Sequence, residues 1–123
     1  MRRIAIAALA LGLAACTNTD VTSPSGSVSG TYALRTINGS SLPFTFSDGY
    51  TLMSEVLTLR SDGSYSNDSQ YSDGSVNSEQ GYWSNLNNAI TFDPTNAAEY
   101  QGSLSGNVLT EIFSGETDTY QRQ

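Results

Sequence analysis

Regularly spaced turn signals are the feature of this chain that most restricts its fold. Between residues 38 and 115, glycine, asparagine and aspartate mark eight turns at intervals of 9 to 14 residues. Apolar residues alternate with polar ones in several of the runs between them, as in Leu57-Thr58-Leu59 and Ile90-Thr91-Phe92. Short strands at this spacing are typical of an antiparallel sandwich or barrel. The pattern predicts an all-β domain of about eight short antiparallel strands and no long helix.

One stretch of the predicted domain contains few apolar residues. Within residues 64–80 only Tyr65, Tyr71 and Val76 are apolar. A strand with so little to bury has a weakly specified register, so we expect a mobile edge or a long hairpin around Asp73-Gly74. The alternative interpretation is a binding loop, because functional loops are often long and polar.

The N-terminus has the pattern of a bacterial lipoprotein signal. Arg2 and Arg3 precede an apolar run of ten residues, which suits a signal peptide and is too short to span a bilayer. The run ends in Leu13-Ala14-Ala15-Cys16, which resembles a lipobox, and Cys16 is the only cysteine of the chain. We predict that residues 1–15 are a signal peptide and that Cys16 carries covalent diacylglyceryl and acyl lipid, such as palmitate. A plain secretory signal with a chance cysteine is the alternative.

Residues 16–29 connect the predicted lipid to the domain. Serine, threonine, glycine and proline dominate this stretch, so we expect a flexible tether. Two or more lipid chains on Cys16 would hold the protein at the membrane. Thr17 follows Cys16, and the lipoproteins that it resembles tend to stay in the inner membrane when an aspartate stands there. We expect a protein anchored in the bacterial cell envelope, at the outer membrane where the host has one.

The composition excludes several classes of site. The chain has no histidine or lysine and a single cysteine, so it lacks the groups for a Ser-His-Asp triad, a Schiff base, an intrachain disulfide or a thiolate metal cluster. Twelve acidic residues outnumber five arginines, and the net charge of −7 argues against nucleic acid as a partner. Three Ser-Asp-Gly triplets hold too few ligands for calcium and indicate hairpin turns. We expect no metal and no cofactor apart from the lipid.

A series of short motifs runs through residues 30–123 in one order. It includes Gly30-Thr31-Tyr32, Asp62-Gly63-Ser64-Tyr65, Gly81-Tyr82-Trp83 and Gly106-Asn107-Val108-Leu109. In this order the motifs resemble those of small bacterial lipocalin-like lipoprotein domains. The resemblance implies eight strands in an up-and-down meander that closes into a small barrel. Because the domain is short, we expect a shallow cavity at best.

Five residues are candidates for contacts with either a core or a ligand: Tyr65, Trp83, Phe92, Glu111 and Arg122. The aromatic residues of a small domain more often fill its core than line a ligand site.

Glu111 is the least usual of these five residues. Where related domains repeat Leu-x-Leu after the Gly-Asn turn, this chain has Leu109-Thr110-Glu111. Glu111 could therefore lie inside, paired with Arg35 or Arg122 or bound to the polar end of a ligand. We favour the other frame, in which Val108, Thr110 and Ile112 face inward and Glu111 faces water.

Two non-enzymatic functions follow from these observations. The anchored barrel could bind a small apolar or amphipathic ligand, which an open cavity would favour. It could instead be a structural or interaction module of the envelope with a filled interior. We do not expect an enzyme, because the sequence brings no two of the candidate acids together for glycoside hydrolysis. Those acids are Glu55, Glu79, Glu99 and Glu111, and two of them facing each other in a cleft would favour a hydrolase.

Overall fold

The predicted turns separate the strands of one antiparallel sheet. The computed structural model describes residues 28–123. No helix of this part of the chain is long and apolar enough to cross a membrane. The strands are β1 (Gly30–Ile37), β2 (Ser40–Ser41), β3 (Phe44–Thr45), β4 (Thr51–Leu59), β5 (Ser64–Tyr71), β6 (Val76–Leu86), β7 (Ala89–Pro94), β8 (Tyr100–Ser105), β9 (Val108–Phe113) and β10 (Glu116–Arg122).

The sheet closes on itself through β1. This strand pairs with β10 on one side and with β4 on the other, both antiparallel. From β4 to β10 each strand pairs with the next one in the sequence. β2 and β3 have two residues each and lie outside this ring. The remaining eight strands form the closed up-and-down barrel that the sequence predicted.

Aspartate side chains hold three of the predicted turns. Each Ser-Asp-Gly triplet lies in a turn, and the glycine after the aspartate has a φ between 88° and 95°. Each aspartate accepts a hydrogen bond from the backbone amide two residues later, which is the geometry of an Asx turn. The backbone amide of Tyr50 donates to Asp48 Oδ1 at 3.1 Å. The amides of Ser64 and Ser75 donate in the same way to Asp62 and Asp73, each at 2.9 Å. The hairpin interpretation of the triplets is confirmed.

Apolar side chains fill one end of the barrel. We call it the closed end, and it contains the turns at residues 60–63, 87–88 and 106–107. In β4 and β7 the alternation places Leu57, Leu59, Ile90 and Phe92 inward, as predicted from Leu57-Thr58-Leu59 and Ile90-Thr91-Phe92. The buried residues here are Tyr32, Leu34, Leu57, Leu59, Tyr65, Trp83, Ile90, Phe92, Leu104, Leu109 and Tyr120.

The folded part begins before the predicted boundary at residue 30. Val28 is 2% exposed and belongs to the core, and its carbonyl oxygen accepts a hydrogen bond from the Tyr32 hydroxyl at 2.5 Å. The predicted signal peptide, Cys16 and most of the predicted tether lie outside the described residues. All the core residues and barrel strands named above lie within residues 28–123. A chain of residues 17–123 therefore retains every core residue and barrel strand that the structure describes.

The polar stretch at residues 64–80 is not an edge of the sheet. It lies in β5 and β6, and β5 pairs with both β4 and β6, while β6 also pairs with β7. The prediction of an edge is therefore wrong, whereas the predicted long hairpin around Asp73-Gly74 is confirmed. Within this hairpin the inward-facing polar residues Asn67, Ser69, Asn77 and Glu79 line a cavity.

Candidate functional site

The barrel is not filled at its other end. We call this the open end, and it contains the connections at residues 72–75, 95–99 and 114–115. A cavity of about 710 Å³ lies there. This volume is within the range of small-molecule sites, about 300–1,000 Å³. The sequence predicted a shallow cavity at best. The space is larger because polar residues such as Ser69 and Asn77 line the wall there, where the closed end has large apolar side chains.

Part of the cavity lining is apolar and aromatic. The Tyr100 ring stacks on Phe92 with 4.9 Å between ring centroids, and its centroid lies 5.2 Å from that of Phe113. These contacts join the cavity wall to the core beneath it. The apolar and aromatic lining residues are Ile37, Phe46, Leu52, Tyr71, Ala97, Ala98, Tyr100, Ile112, Phe113 and Tyr120.

The cavity is also strongly acidic. Six carboxyl side chains and no arginine or lysine are among its lining residues. Arg35 is exposed on β1, while Arg122 lies at the closed end with its guanidinium 5.5 Å from the centre of the Tyr32 ring. The predicted pairing of Glu111 with one of these arginines does not occur in the cavity. The six acids are Glu55, Glu79, Glu99, Glu111, Glu116 and Asp118.

Glu55 is held by three neighbouring side chains. The Ser69 hydroxyl donates to its Oε1 at 2.7 Å, and Asn67 Nδ2 donates to its Oε2 at 2.9 Å. The Tyr120 hydroxyl also donates to Oε2, and Asn67 Nδ2 lies 3.2 Å from the Tyr120 hydroxyl oxygen. Because both carboxylate oxygens accept hydrogen bonds, this network fixes the position of Glu55 in the wall.

Glu79 is held by two tyrosines. Its Oε2 accepts hydrogen bonds from the Tyr65 hydroxyl at 2.8 Å and from the Tyr100 hydroxyl at 2.5 Å. Burial and the nearby carboxylates raise the pKa of both tyrosines, so each stays protonated and keeps donating. These contacts join the bottom of the cavity to the core.

Glu111 lies on the inner face of β9 and is 1% exposed. Val108 and Ile112 are exposed, so the frame in which Glu111 would face water is wrong. Gly102 is its direct neighbour on β8. A Cβ atom at Gly102 would lie 3.4 Å from Glu111 Cγ and 2.7 Å from the Thr110 carbonyl oxygen. Glycine at this position therefore allows the close approach of the β9 backbone at Thr110, next to Glu111.

Glu111 and Asp118 are cross-strand partners, and both are buried. Burial raises the pKa of Glu111 well above its ordinary value, and the carboxylates of Glu55, Asp118 and Glu79 raise it further. Burial also raises the pKa of Asp118 from 3.8 to about 8, with further contributions from Glu116 and Glu55. Both groups therefore hold protons at pH values where exposed carboxyl groups are ionised.

Three buried oxygens at the cavity have no hydrogen-bond partner. Among residues 28–123 these are Asn67 Oδ1, Glu111 Oε2 and Asp118 Oδ1, and all three residues line the same cavity. The side-chain nitrogen of Asn67 donates to Glu55, so the side-chain oxygen of Asn67 is the atom without a partner. All three atoms can accept hydrogen bonds, which a bound molecule with several donors would supply.

The three aromatic residues among the predicted site residues lie in the core. Trp83 is 4% exposed, and its Nε1 donates to the Arg60 carbonyl oxygen at 2.9 Å. The Phe92 ring stacks on the ring of Tyr100 from the core side, and neither Trp83 nor Phe92 lines the cavity. Tyr65 reaches the cavity only through its bond to Glu79.

Several cavity residues were missed by the sequence analysis, and one signal could have indicated them. Asn67, Ser69 and Asn77 alternate with outward-facing residues along β5 and β6, as the inner face of a strand requires. Asp118 carries the same signal, because it alternates with Tyr120 on the inner face of β10. Within residues 28–123 no three His, Cys, Asp or Glu side chains are grouped so that they could hold a metal ion.

Comparison with known proteins bears on the fold. A search of solved structures matched this chain to a lipocalin-like protein from Bacteroides uniformis ATCC 8492, with a TM-score of 0.54 and 17% sequence identity. The match covers 80% of this chain and 100% of that one. No protein-family model and no curated protein matched. The described part of the chain is thus a closed eight-stranded barrel with a lipocalin-like fold, as the resemblance of its motifs implied.

Proposed function

We propose that this protein is a non-enzymatic, lipid-anchored protein of the bacterial cell envelope whose barrel binds a small amphipathic molecule. The observation that supports binding is the cavity of about 710 Å³ at the open end, with apolar and polar residues in its lining. Lipocalin-like barrels typically have no enzymatic activity, and eight strands leave room for one small ligand. The alternative, a filled structural barrel, would need large apolar side chains at both ends.

Binding can be tested with the neutral fluorophore N-phenyl-1-naphthylamine. The soluble chain of residues 17–123 contains the whole barrel and is suitable for this measurement. We expect saturable fluorescence enhancement with one site per chain. Asn77→Trp places an indole at the cavity and should abolish the enhancement, whereas Gln70→Trp, on the outer face of β5, should not. No enhancement, or equal enhancement in both variants, would count against a ligand-binding cavity.

The membrane anchor is proposed from Cys16 and the residues before it. Its test is metabolic labelling with radioactive palmitate in a bacterial host that processes lipoproteins. The full chain should be labelled and sediment with membranes, and the Cys16→Ser variant should be neither labelled nor retained. Equal labelling of both chains would eliminate the anchor. Fractionation of inner and outer membranes of a Gram-negative host tests the proposed location.

A carboxylate-based hydrolase is a second candidate. The four acids that the sequence suggested, Glu55, Glu79, Glu99 and Glu111, all line the one cavity. Hydrolysis of a glycosidic bond needs one protonated and one ionised carboxyl group beside the bond. Glu55 and Glu79 are occupied by tyrosine, serine and asparagine donors, which argues against either as a free nucleophile. We expect no release of p-nitrophenol from aryl glycosides, and turnover that Glu111→Gln abolishes would establish the hydrolase instead.

A further inference from the structure

The unpartnered atoms at the cavity restrict what can bind there. Asn67 Oδ1 is a buried acceptor without a donor, and Glu111 Oε2 and Asp118 Oδ1 become two more when their carboxyl groups ionise. A carboxylate or phosphate could accept hydrogen bonds from the protonated carboxyl groups, but it would leave Asn67 Oδ1 without a donor and would be repelled by every ionised acid of the cavity. A primary ammonium group has three N–H donors and no acceptor. It is therefore the complement of this set of oxygens.

The charge of the cavity favours the same group. Its lining includes six carboxyl groups and no basic residue. Glu111 and Asp118 are direct cross-strand partners, and the Cβ atoms of such pairs lie about 4.5–5.5 Å apart. One cationic nitrogen between two carboxyl groups at this spacing could contact both. An acidic cavity with low-dielectric walls also concentrates cations from solution.

The rest of the lining suits an organic cation. The aromatic rings of Phe46, Tyr71, Tyr100 and Phe113 line the same cavity and can contact an alkyl chain or a ring. Aromatic faces also attract a cationic group. The acids lie at separate points of the wall and are not grouped for one metal ion within residues 28–123. A molecule with an ammonium head and an apolar body uses both parts of the lining.

We propose that the ligand of this cavity is an amphipathic organic ammonium ion whose charged nitrogen binds between Glu111 and Asp118. This inference rests on the proposed function and specifies its ligand class. A protonated amine would give the unpartnered oxygens their donors and replace the protons that Glu111 and Asp118 hold in the empty cavity. Binding should therefore release protons from the protein.

The proton release depends on every titratable group around Glu111. Its carboxyl group is influenced by side chains from five other strands of the barrel. Those groups are Glu55 on β4, Tyr65 on β5, Glu79 on β6, Tyr100 on β8, and Asp118 and Tyr120 on β10. Because the acids must give up protons to bind a cation, affinity should fall as the pH decreases from 8 to 5.

Three probes with one apolar chain test the proposal: octylammonium, octanol and octanoate. Each is titrated into ¹⁵N-labelled residues 17–123 at pH 7.5 and followed by NMR. We expect octylammonium to bind at least about tenfold more tightly than the other two, as charge-assisted hydrogen bonds imply. The largest changes in amide chemical shift should occur in β9 and β10. Calorimetry in two buffers of different ionisation enthalpy should report about one proton released per ammonium bound.

A matched pair of variants separates the site from general charge. Glu111→Gln preserves the shape of the side chain and should weaken octylammonium binding at least about tenfold. Asp68→Asn removes an exposed carboxyl group from the outer face of β5 and should change binding less than about twofold. Equal losses in both variants would overturn the assignment of the site.

The failures of the two proposals are distinguishable. If octanol or octanoate binds in the cavity as tightly as octylammonium, the cavity is a ligand site but the ammonium inference is overturned. The inference is also overturned if calcium chloride displaces octylammonium stoichiometrically, because the site then prefers a metal ion. If neither the octyl series nor the neutral fluorophore binds, both the inference and the proposed function fail.

Discussion

Glu111 and Asp118 are direct partners across the β9–β10 pair, and both carboxyl groups are buried next to a cavity without a basic lining residue. Like charges directly opposite each other destabilise a sheet. Burial is the main reason why the pKa values of both groups are raised, and neighbouring carboxylates raise them further, so the pair keeps protons and this repulsion is reduced. The acidic pair therefore couples stability to pH, and under the proposed function it couples both to ligand binding.

Stability should decrease between pH 5 and pH 8. The pKa of Asp118 is raised from 3.8 to about 8 in the folded chain, so its contribution is fully present below about pH 4 and is lost as the pH rises to about 8. The raised pKa of Glu111 acts in the same direction. We expect the Tm to be at least about 4 °C lower at pH 8 than at pH 5. Thermal denaturation followed by circular dichroism measures this, and a higher Tm at pH 8 would contradict it.

Asp118→Asn is the matched control for that measurement. It removes the group that titrates while preserving the size of the side chain. The decrease in Tm from pH 5 to pH 8 should become smaller in this variant than in the parent. An equal decrease in Tm from pH 5 to pH 8 in the variant and the parent would mean that Asp118 ionises normally in the folded chain.

Glu111→Gln should stabilise the folded chain, and more so at high pH. Because burial raises the pKa of Glu111 well above its ordinary value, folding above that ordinary value costs the uptake of a proton that the unfolded chain has lost. Glutamine has no such requirement, and its amide can donate to neighbouring carboxylates. We expect a gain in unfolding free energy of about 1 kcal/mol or more at pH 8, by urea denaturation. The gain should be smaller at pH 5, and a loss at both pH values would contradict the raised pKa.

Gly81 should not tolerate a side chain. A Cβ atom there would lie 2.2 Å from the Asp93 carbonyl oxygen and 2.7 Å from Pro94 Cα, so the backbone of β7 would have to move. We expect Gly81→Ala to lower the unfolding free energy by about 3 kcal/mol or to prevent folding. Ser84→Ala, at an exposed position of the same strand, should change it by less than about 0.5 kcal/mol. Equal changes in unfolding free energy in the two variants would argue against close packing of Gly81 on the β7 backbone.

Much of the fold could be predicted because turn chemistry is local. Asp48, Asp62 and Asp73 each bond to a backbone amide two residues away, so their short sequences contain all the information that the turns need. Alternation in runs such as Leu57-Thr58-Leu59 then identified the inner face. These signals required no knowledge of the partner strands.

The candidate site could be predicted only in part, because its burial depends on distant pairings. Val108 and Leu109 are both apolar, so two frames fitted β9, and the neighbours Gly102 and Asp118 show which one is correct. The inner face of β5 resembles that of a solvent-exposed strand, since residues such as Asn67 are polar. Only the closure of the sheet through β1 shows that this polar face lines a cavity.

Trp83 should report unfolding but not ligand entry. It is the only tryptophan, it is buried at the closed end, and it does not line the cavity. We expect its fluorescence to be weakly quenched by acrylamide in the folded chain and unchanged by saturating octylammonium. A saturable change in its emission on addition of this probe would mean that the ligand reaches the closed end.

The most direct test is a pH titration of the Glu111 and Asp118 carboxyl carbons by ¹³C NMR, with signals assigned through Glu111→Gln and Asp118→Asn. In the ligand-free chain both groups should titrate well above the ordinary range of carboxyl groups, Asp118 near pH 8. Saturating octylammonium should lower both values. Ordinary pKa values in the ligand-free chain, or values that the ammonium leaves unchanged, would contradict a buried acidic pair that receives a cation.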